Sequence, residues 1–124
     1  MSTTSLLTGV AGEYFVATNA SASRTVTIQC KTSRNKDKKW ILNQKSENYV
    51  SENHFYVFVN LLSDFERPSY RIVPSKVVGE FTKRSHLEWL GGKSNNGKAR
   101  KYYMIRNFTD KNNAYLDKGE LLGI

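Results

Sequence analysis

Arg24-Thr-Val-Thr-Ile-Gln-Cys-Lys-Thr32 is the stretch that decides the fold. Its residues alternate: Val26, Ile28 and Cys30 fall on one side, and Thr25, Thr27, Gln29 and Lys31 on the other. A period of two over this length predicts a β-strand with one buried face, because successive side chains of an extended chain point to opposite sides. It also sends Gln29 and Lys31 to the same face. A polar acceptor beside an ammonium group on a sheet face suits phosphodiester chemistry. The acceptor contributes a metal ligand, and the lysine stabilises the developing phosphorane charge or orients the attacking water.

Working outward, Leu6, Leu7, Val10, Tyr14 and Ala17 recur at helical spacing and predict an amphipathic helix over residues 5–18, weakened by Gly9 and Gly12. Residues 19–23 read as a small polar turn. Residues 33–39 form a basic loop, and residues 40–53 are ambiguous, with a short helix over 44–49. Phe55-Tyr-Val-Phe-Val59 is aromatic and β-branched on both faces, the composition of a central strand covered on both sides. Residues 64–68 are a turn and Tyr70-Arg-Ile-Val73 a further strand, making 55–73 a hairpin. Ser75 is placed to cap a short helix through Phe81. Ser85-His-Leu-Glu88 has capping-box spacing and predicts another short helix containing Trp89. Residues 91–101 form a Gly/Asn/Lys-rich loop, and the remainder is a mixed tail packed on the body.

The 124 residues suffice for one domain with a modest core. The formal charge of +8 favours a polyanionic partner, nucleic acid first. The charge is clustered. Residues 31–39 hold five cations against Asp37, and residues 93–106 hold five cations and no acid. Both clusters interleave with aromatics, Trp40 in the first and Tyr102 and Tyr103 in the second, so grip on phosphates together with stacking on bases is one reading. A solvated loop beside core aromatics is the other. The lone Cys30 excludes an intramolecular disulfide and fits a reducing cytoplasm. Cys30 with His54 and His86 makes no zinc signature. The apolar run 55–62 is too short to span a bilayer, and Glu13 interrupts an N-terminal stretch that lacks the basic start of a signal peptide. Neither a membrane nor a secretory route is expected. Gly92-Lys93-Ser94 resembles the end of a phosphate-binding loop, but Leu87 stands where the earlier glycine is required.

Gly9-Val-Ala-Gly-Glu-Tyr-Phe-Val16 followed by Ile28-Gln-Cys-Lys-Thr-Ser33 resembles the PD-(D/E)XK nuclease-like superfamily, in particular small bacterial members with an "aGE..V" helix and a later "iQvKT" strand. Residues 55–62 and 70–78 are similar to the hairpin that follows in that group. The resemblance covers roughly residues 5–90. It implies an α/β (α+β) domain: a small mixed sheet with an N-terminal helix and short C-terminal helices. It also implies magnesium and a DNA substrate. Glu13 would match the helix glutamate that assists the metal, and Gln29 and Lys31 the (E/Q)-x-K pair, giving Lys31, Gln29 and Glu13 as catalytic candidates and Glu13 and Gln29 as metal ligands.

The family also places an aspartate on a strand between that helix and the (E/Q)-x-K strand. Here no carboxylate occurs after Glu13 until Asp37. The core therefore reads as truncated, with the aspartate strand missing and an incomplete magnesium site. Two functions follow. In the first, the domain binds nucleic acid, with Arg34, Lys36, Lys38, Lys39, Lys98, Arg100 and Lys101 on the phosphate backbone, whether or not it hydrolyses. In the second, it is an inactive remnant used for protein interaction or assembly. The strand edge left by the missing segment predicts a homodimer.

Overall fold

The computed structural model describes residues 3–7, 13–34, 39–61, 67–92, 97–101 and 104–124, with the backbone alone for 3–7, 13 and 14. The architecture is mixed α/β, as expected. A five-stranded sheet is built from β1 (Thr3–Leu7), β2 (Glu13–Thr18), β3 (Thr25–Ser33), β5 (His54–Asn60) and β6 (Ser69–Pro74), in the order β1-β2-β3-β5-β6. A two-stranded ribbon pairs β4 (Lys39–Asn43) with β7 (Ile105–Thr109), and one α-helix among the described residues, α1, runs from Ser75 to Leu90. Short 3₁₀ turns occupy Gln44–Glu47 and Gly119–Leu122.

The strand read from residues 24–32 is β3, and it lies at the centre of the sheet. It runs antiparallel to β2 and parallel to β5. The parallel pairing requires a crossover. β4 and the following 3₁₀ turn supply it, since they leave the sheet after β3 and return at His54. The expected hairpin is also present, with β5 antiparallel to β6.

The described part of the helix expected over residues 5–18, namely 5–7 and 13–18, is strand. These residues belong to β1 and β2, which form an antiparallel pair with each other and extend the sheet beyond β3. The physical reason lies in Tyr14-Phe-Val16. Aromatic and β-branched residues fit a pleated surface better than a helix. Two glycines also cost a helix about 1 kcal/mol each. On β2 the pairing Ala17↔Val26 places a buried alanine beside a buried valine.

The two short helices expected after Pro74 are one helix of 16 residues. Thr82-Lys-Arg84 contains no residue that stops a helix, and Thr82 is buried with its hydroxyl donating to the Val78 carbonyl at 2.8 Å. Ser75 does not cap this helix. Its Oγ donates to the Ser51 carbonyl at 2.8 Å and accepts from the Ser51 N–H at 3.0 Å, tying the helix start to the loop before β5. The Ser85–Glu88 capping box falls inside α1. Gly79 is the point of closest approach: a Cβ there would meet a Val50 methyl at 3.0 Å and the Glu47 carbonyl at 3.1 Å.

One face of the sheet carries the larger core. Tyr56, Phe58, Val73 and Val78 close on Trp40, Leu42 and Phe108 from the ribbon. The aromatic rings form a ladder: Tyr56 stacks on Phe58 at 5.6 Å, Phe58 on Phe108 at 4.7 Å, and Phe81 meets Phe108 edge-on at 5.0 Å. The opposite face has a smaller cluster of Ala17, Val26, Phe55 and Ile72, covered in part by Leu122. The tail thus packs on the body, as expected.

The tail also protects one sheet edge. Ile72 N–H donates to the Tyr115 carbonyl and Asp117 N–H to the Tyr70 carbonyl, each at 3.1 Å, along the outer side of β6. Arg71 is 1% exposed and anchors this segment. Its guanidinium lies 3.3 Å from Asp110, donates to Asn113 at 2.5 Å and sits 5.4 Å from the Trp40 ring centre. At the other edge, β1 pairs only with β2 among the described residues. No helix among the described residues is long and apolar enough to cross a membrane.

Candidate nucleic-acid interface

The register Gln29↔Tyr56, Lys31↔Phe58 and Ser33↔Asn60 places residues 29, 31 and 33 along one row of β3. Gln29 and Lys31 therefore share a face, as the alternation requires. Their surroundings differ. Gln29 is buried next to the aromatic ladder, whereas Lys31 is partly exposed near the end of the strand. Glu13 lies on β2 rather than on a helix, and its register partner is Cys30. The residue opposite Gln29 is Tyr14.

β3 ends at Ser33, and β4 begins at Lys39. The divergence of β4 from β3 opens a groove of about 290 Å³ lined by Lys31, Ser33, Arg34, Lys39 and the flanks of Trp40 and Ile41. It contains three cations and no carboxylate among its described walls. It lies at the carboxyl end of the parallel β3–β5 pair, the side of α/β sheets that generally receives ligands. Trp40 does not offer a stacking surface. It is 1% exposed, and its indole N–H donates to the Val59 carbonyl at 3.0 Å.

Lys39 also borders a second, larger groove of about 900 Å³, between α1 and β7. Its walls carry Arg84, His86, Trp89, Arg106 and Lys111. Arg106 is buried and paired with Glu47 at 2.6 Å, so its charge is matched. Lys39, Arg84 and Lys111 are exposed, and Glu88 is the one carboxylate among the described lining residues. Trp89 is 41% exposed. Its ring stacks with His86 at 5.7 Å, and the Arg100 guanidinium sits 5.0 Å from its centre while donating to the Trp89 carbonyl at 3.0 Å. Burial holds the His86 imidazole below its ordinary pKa. The nearby Arg106 charge acts in the same direction, and Glu47 opposes it.

Of the expected phosphate contacts, Arg34 and Lys39 come together with Lys31. Arg100 stands apart, on Trp89, and Lys98 and Lys101 are exposed in the loop that leads to β7. Lys36, Lys38, Tyr102 and Tyr103 lie outside the described residues. Nothing local in the sequence marks Arg84, Trp89 and Lys111 as a group. The first two lie on a helix surface, and only the packing of α1 against β7 brings Lys111 to them.

No group of three His, Cys, Asp or Glu side chains assembles into a metal site among the described residues. Magnesium is generally held by one or two carboxylates with waters and phosphate oxygens. Gln29 is neutral, and the described walls of the Lys31 groove hold no carboxylate. The side chain of Glu13, the other expected ligand, lies outside the described residues. Comparison with protein-family models, with curated proteins and with solved structures finds no match for the chain.

Proposed function

We propose that this domain binds nucleic acid through the groove at the end of β3, with Lys31, Arg34 and Lys39 on the phosphate backbone. One observation carries the reading: three cations converge on one groove whose described walls hold no acid. Such a groove attracts polyanions, and displacing their condensed counterions makes the affinity fall steeply with salt. Backbone contacts of this kind position the ligand without reading its sequence. The lone thiol suits a cytoplasmic setting.

DNA is the ligand that the resemblance to the PD-(D/E)XK nuclease-like superfamily implies. Magnesium-dependent hydrolysis is the further step in that kinship. The function proposed is binding alone. Binding measured across a salt series tests the proposal. Lys31→Ala, Arg34→Ala and Lys39→Ala should each weaken binding and flatten the dependence of log affinity on log salt by about 0.7 to 0.9. A slope near zero in the parent protein would remove the reading.

The second reading, an assembly module, is favoured by the strand edge at β1. An unpaired edge presents backbone donors and acceptors to another strand, and a second copy of the chain is the simplest partner. Light scattering at high protein concentration tests it: a dimer supports edge pairing and a monomer removes it.

A further inference from the structure

The geometry points to single-stranded nucleic acid as the ligand, laid across both grooves, with a base stacked at Trp89. This rests on the nucleic-acid reading above and specifies it.

The grooves are not independent, because Lys39 lines both. As the first residue of β4, paired with Thr109 of β7, Lys39 stands where the end of β3 meets the cleft beside α1. A backbone held by Lys31 and Arg34 in the first groove would therefore pass Lys39 into the second. There Arg84 and Lys111 provide two further exposed cations, while the charge of Arg106 is occupied by Glu47. A track of spaced cations is the electrostatic part of a single-strand site.

The aromatic part is Trp89. A duplex keeps its bases stacked inside and offers a groove wall mainly its phosphates. A single strand offers bare base faces, and an exposed indole or a guanidinium plane receives them. Of the two tryptophans, Trp40 is buried and hydrogen-bonded inside the core, whereas Trp89 is 41% exposed and faces the cationic cleft. His86 is 8% exposed and backs the indole, so the ring is held before any ligand arrives. The Arg100 guanidinium, held over the indole by its bond to the Trp89 carbonyl, adds a planar cation to the platform, and its outer plane is a surface on which a base can stack. Pre-organisation of this kind reduces the ordering cost of binding.

The experiment uses the full chain and four probes of about 15 units: oligothymidylate, oligouridylate, a DNA duplex and an abasic DNA strand, a length that suits such sites. Oligothymidylate or oligouridylate should quench Trp89 emission, leaving the buried Trp40 signal; the two arms distinguish DNA from RNA. Trp89→Ala should weaken binding of the base-bearing single strands about 10-fold. Trp89→Phe should restore most of it, and neither variant should change binding of the abasic strand. Arg84→Ala and Lys111→Ala should each flatten the single-strand salt slope by about 0.7.

Equal affinity of Trp89→Ala and the parent for oligothymidylate and oligouridylate overturns the inference. So does tighter binding of the duplex than of either single strand. In both cases, binding that still depends on Lys31 and Arg34 leaves the basic-groove reading standing. Failure to bind any of the four probes overturns both.

Discussion

Lowering the pH from 7 to 4 should destabilise this fold in part through His54, by an amount that its surroundings determine. His54 begins β5 and is 2% exposed, with its ring edge-on to Tyr49 at 4.5 Å and to Tyr56 at 5.2 Å. Its Nδ1 lies 2.6 Å from the Thr27 hydroxyl. Burial lowers the pKa from 6.5 to about 4, and a hydrogen bond with the Thr27 backbone acts the other way. The folded value lies below the unfolded one, so the unfolded chain binds more protons between them. The stabilisation is complete above pH 6.5 and is lost as the pH falls towards 4. Each pKa unit is worth 1.36 kcal/mol, so the loss from this group is roughly 2 kcal/mol at pH 5 and about 3 kcal/mol at pH 4.

For a domain of this size, 2 kcal/mol corresponds to a fall in Tm of about 8 °C. Carboxylate protonation also destabilises at low pH, so the informative quantity is a difference. Urea unfolding of the parent and of His54→Gln should be followed from pH 7 to pH 4. The parent should lose roughly 2 to 3 kcal/mol more than the variant over that range. His86, also shifted downward by burial, adds to both proteins alike. Equal pH slopes in the two proteins, or an imidazole of His54 that titrates near 6.5 by NMR, would refute the reasoning.

Three further outcomes are expected. Asp110→Ala leaves the buried Arg71 without its carboxylate and frees the Ala114 and Tyr115 amides, which Asp110 accepts at 3.0 Å each. It should cost about 3 kcal/mol in urea unfolding, and a loss below about 1 kcal/mol would contradict the role given to this pair. Gly79→Ala gains about 1 kcal/mol of helix propensity but pushes a methyl against the Glu47 and Ser46 carbonyls at 3.1 and 3.2 Å. Those backbone atoms cannot move aside cheaply, so a net loss of about 1 kcal/mol is expected by thermal unfolding, and a gain would show that the helix can shift. Lys39→Ala should weaken single-strand binding more than Arg34→Ala in the same titration, because Lys39 alone borders both grooves; the reverse order would separate the grooves.

The parts of the fold that were legible in sequence were those decided locally. Strict alternation in residues 24–32 specifies β3, and the β-branched and aromatic run 55–59 specifies a central strand, because both patterns report burial on known faces. The apolar spacing over residues 5–18 also fits a helix, so it does not reveal the strand at 13–18. What decides between the two is the open side of β3, a partner that local periodicity cannot display. Ser75 and Ser85 each have the local look of a cap, which divides α1 into two helices. Ser75 instead bonds to Ser51, across a tertiary contact.

The site was legible to the same extent. Lys31, Arg34 and Lys39 are close in sequence, and the charge cluster marked them. Trp40 looked available beside the same cluster, but the Val59 carbonyl and the Arg71 guanidinium hold it in the core. Trp89, Arg84 and Lys111 carry no local sign of a shared role. Their convergence depends on α1 packing against β7. Gln29 shares Lys31's face but is buried opposite Tyr56, while Lys31 lines the groove.

The most direct measurement is the affinity of the intact chain for oligothymidylate between about 50 and 200 mM salt, for the parent and for Lys31→Ala/Arg34→Ala/Lys39→Ala. The account predicts that log affinity falls linearly with log salt in the parent, and that the triple variant loses about 2 units of slope, the release expected from three phosphates on a single strand. An affinity in the parent that does not depend on salt, or a triple variant with the parent's slope, would contradict it.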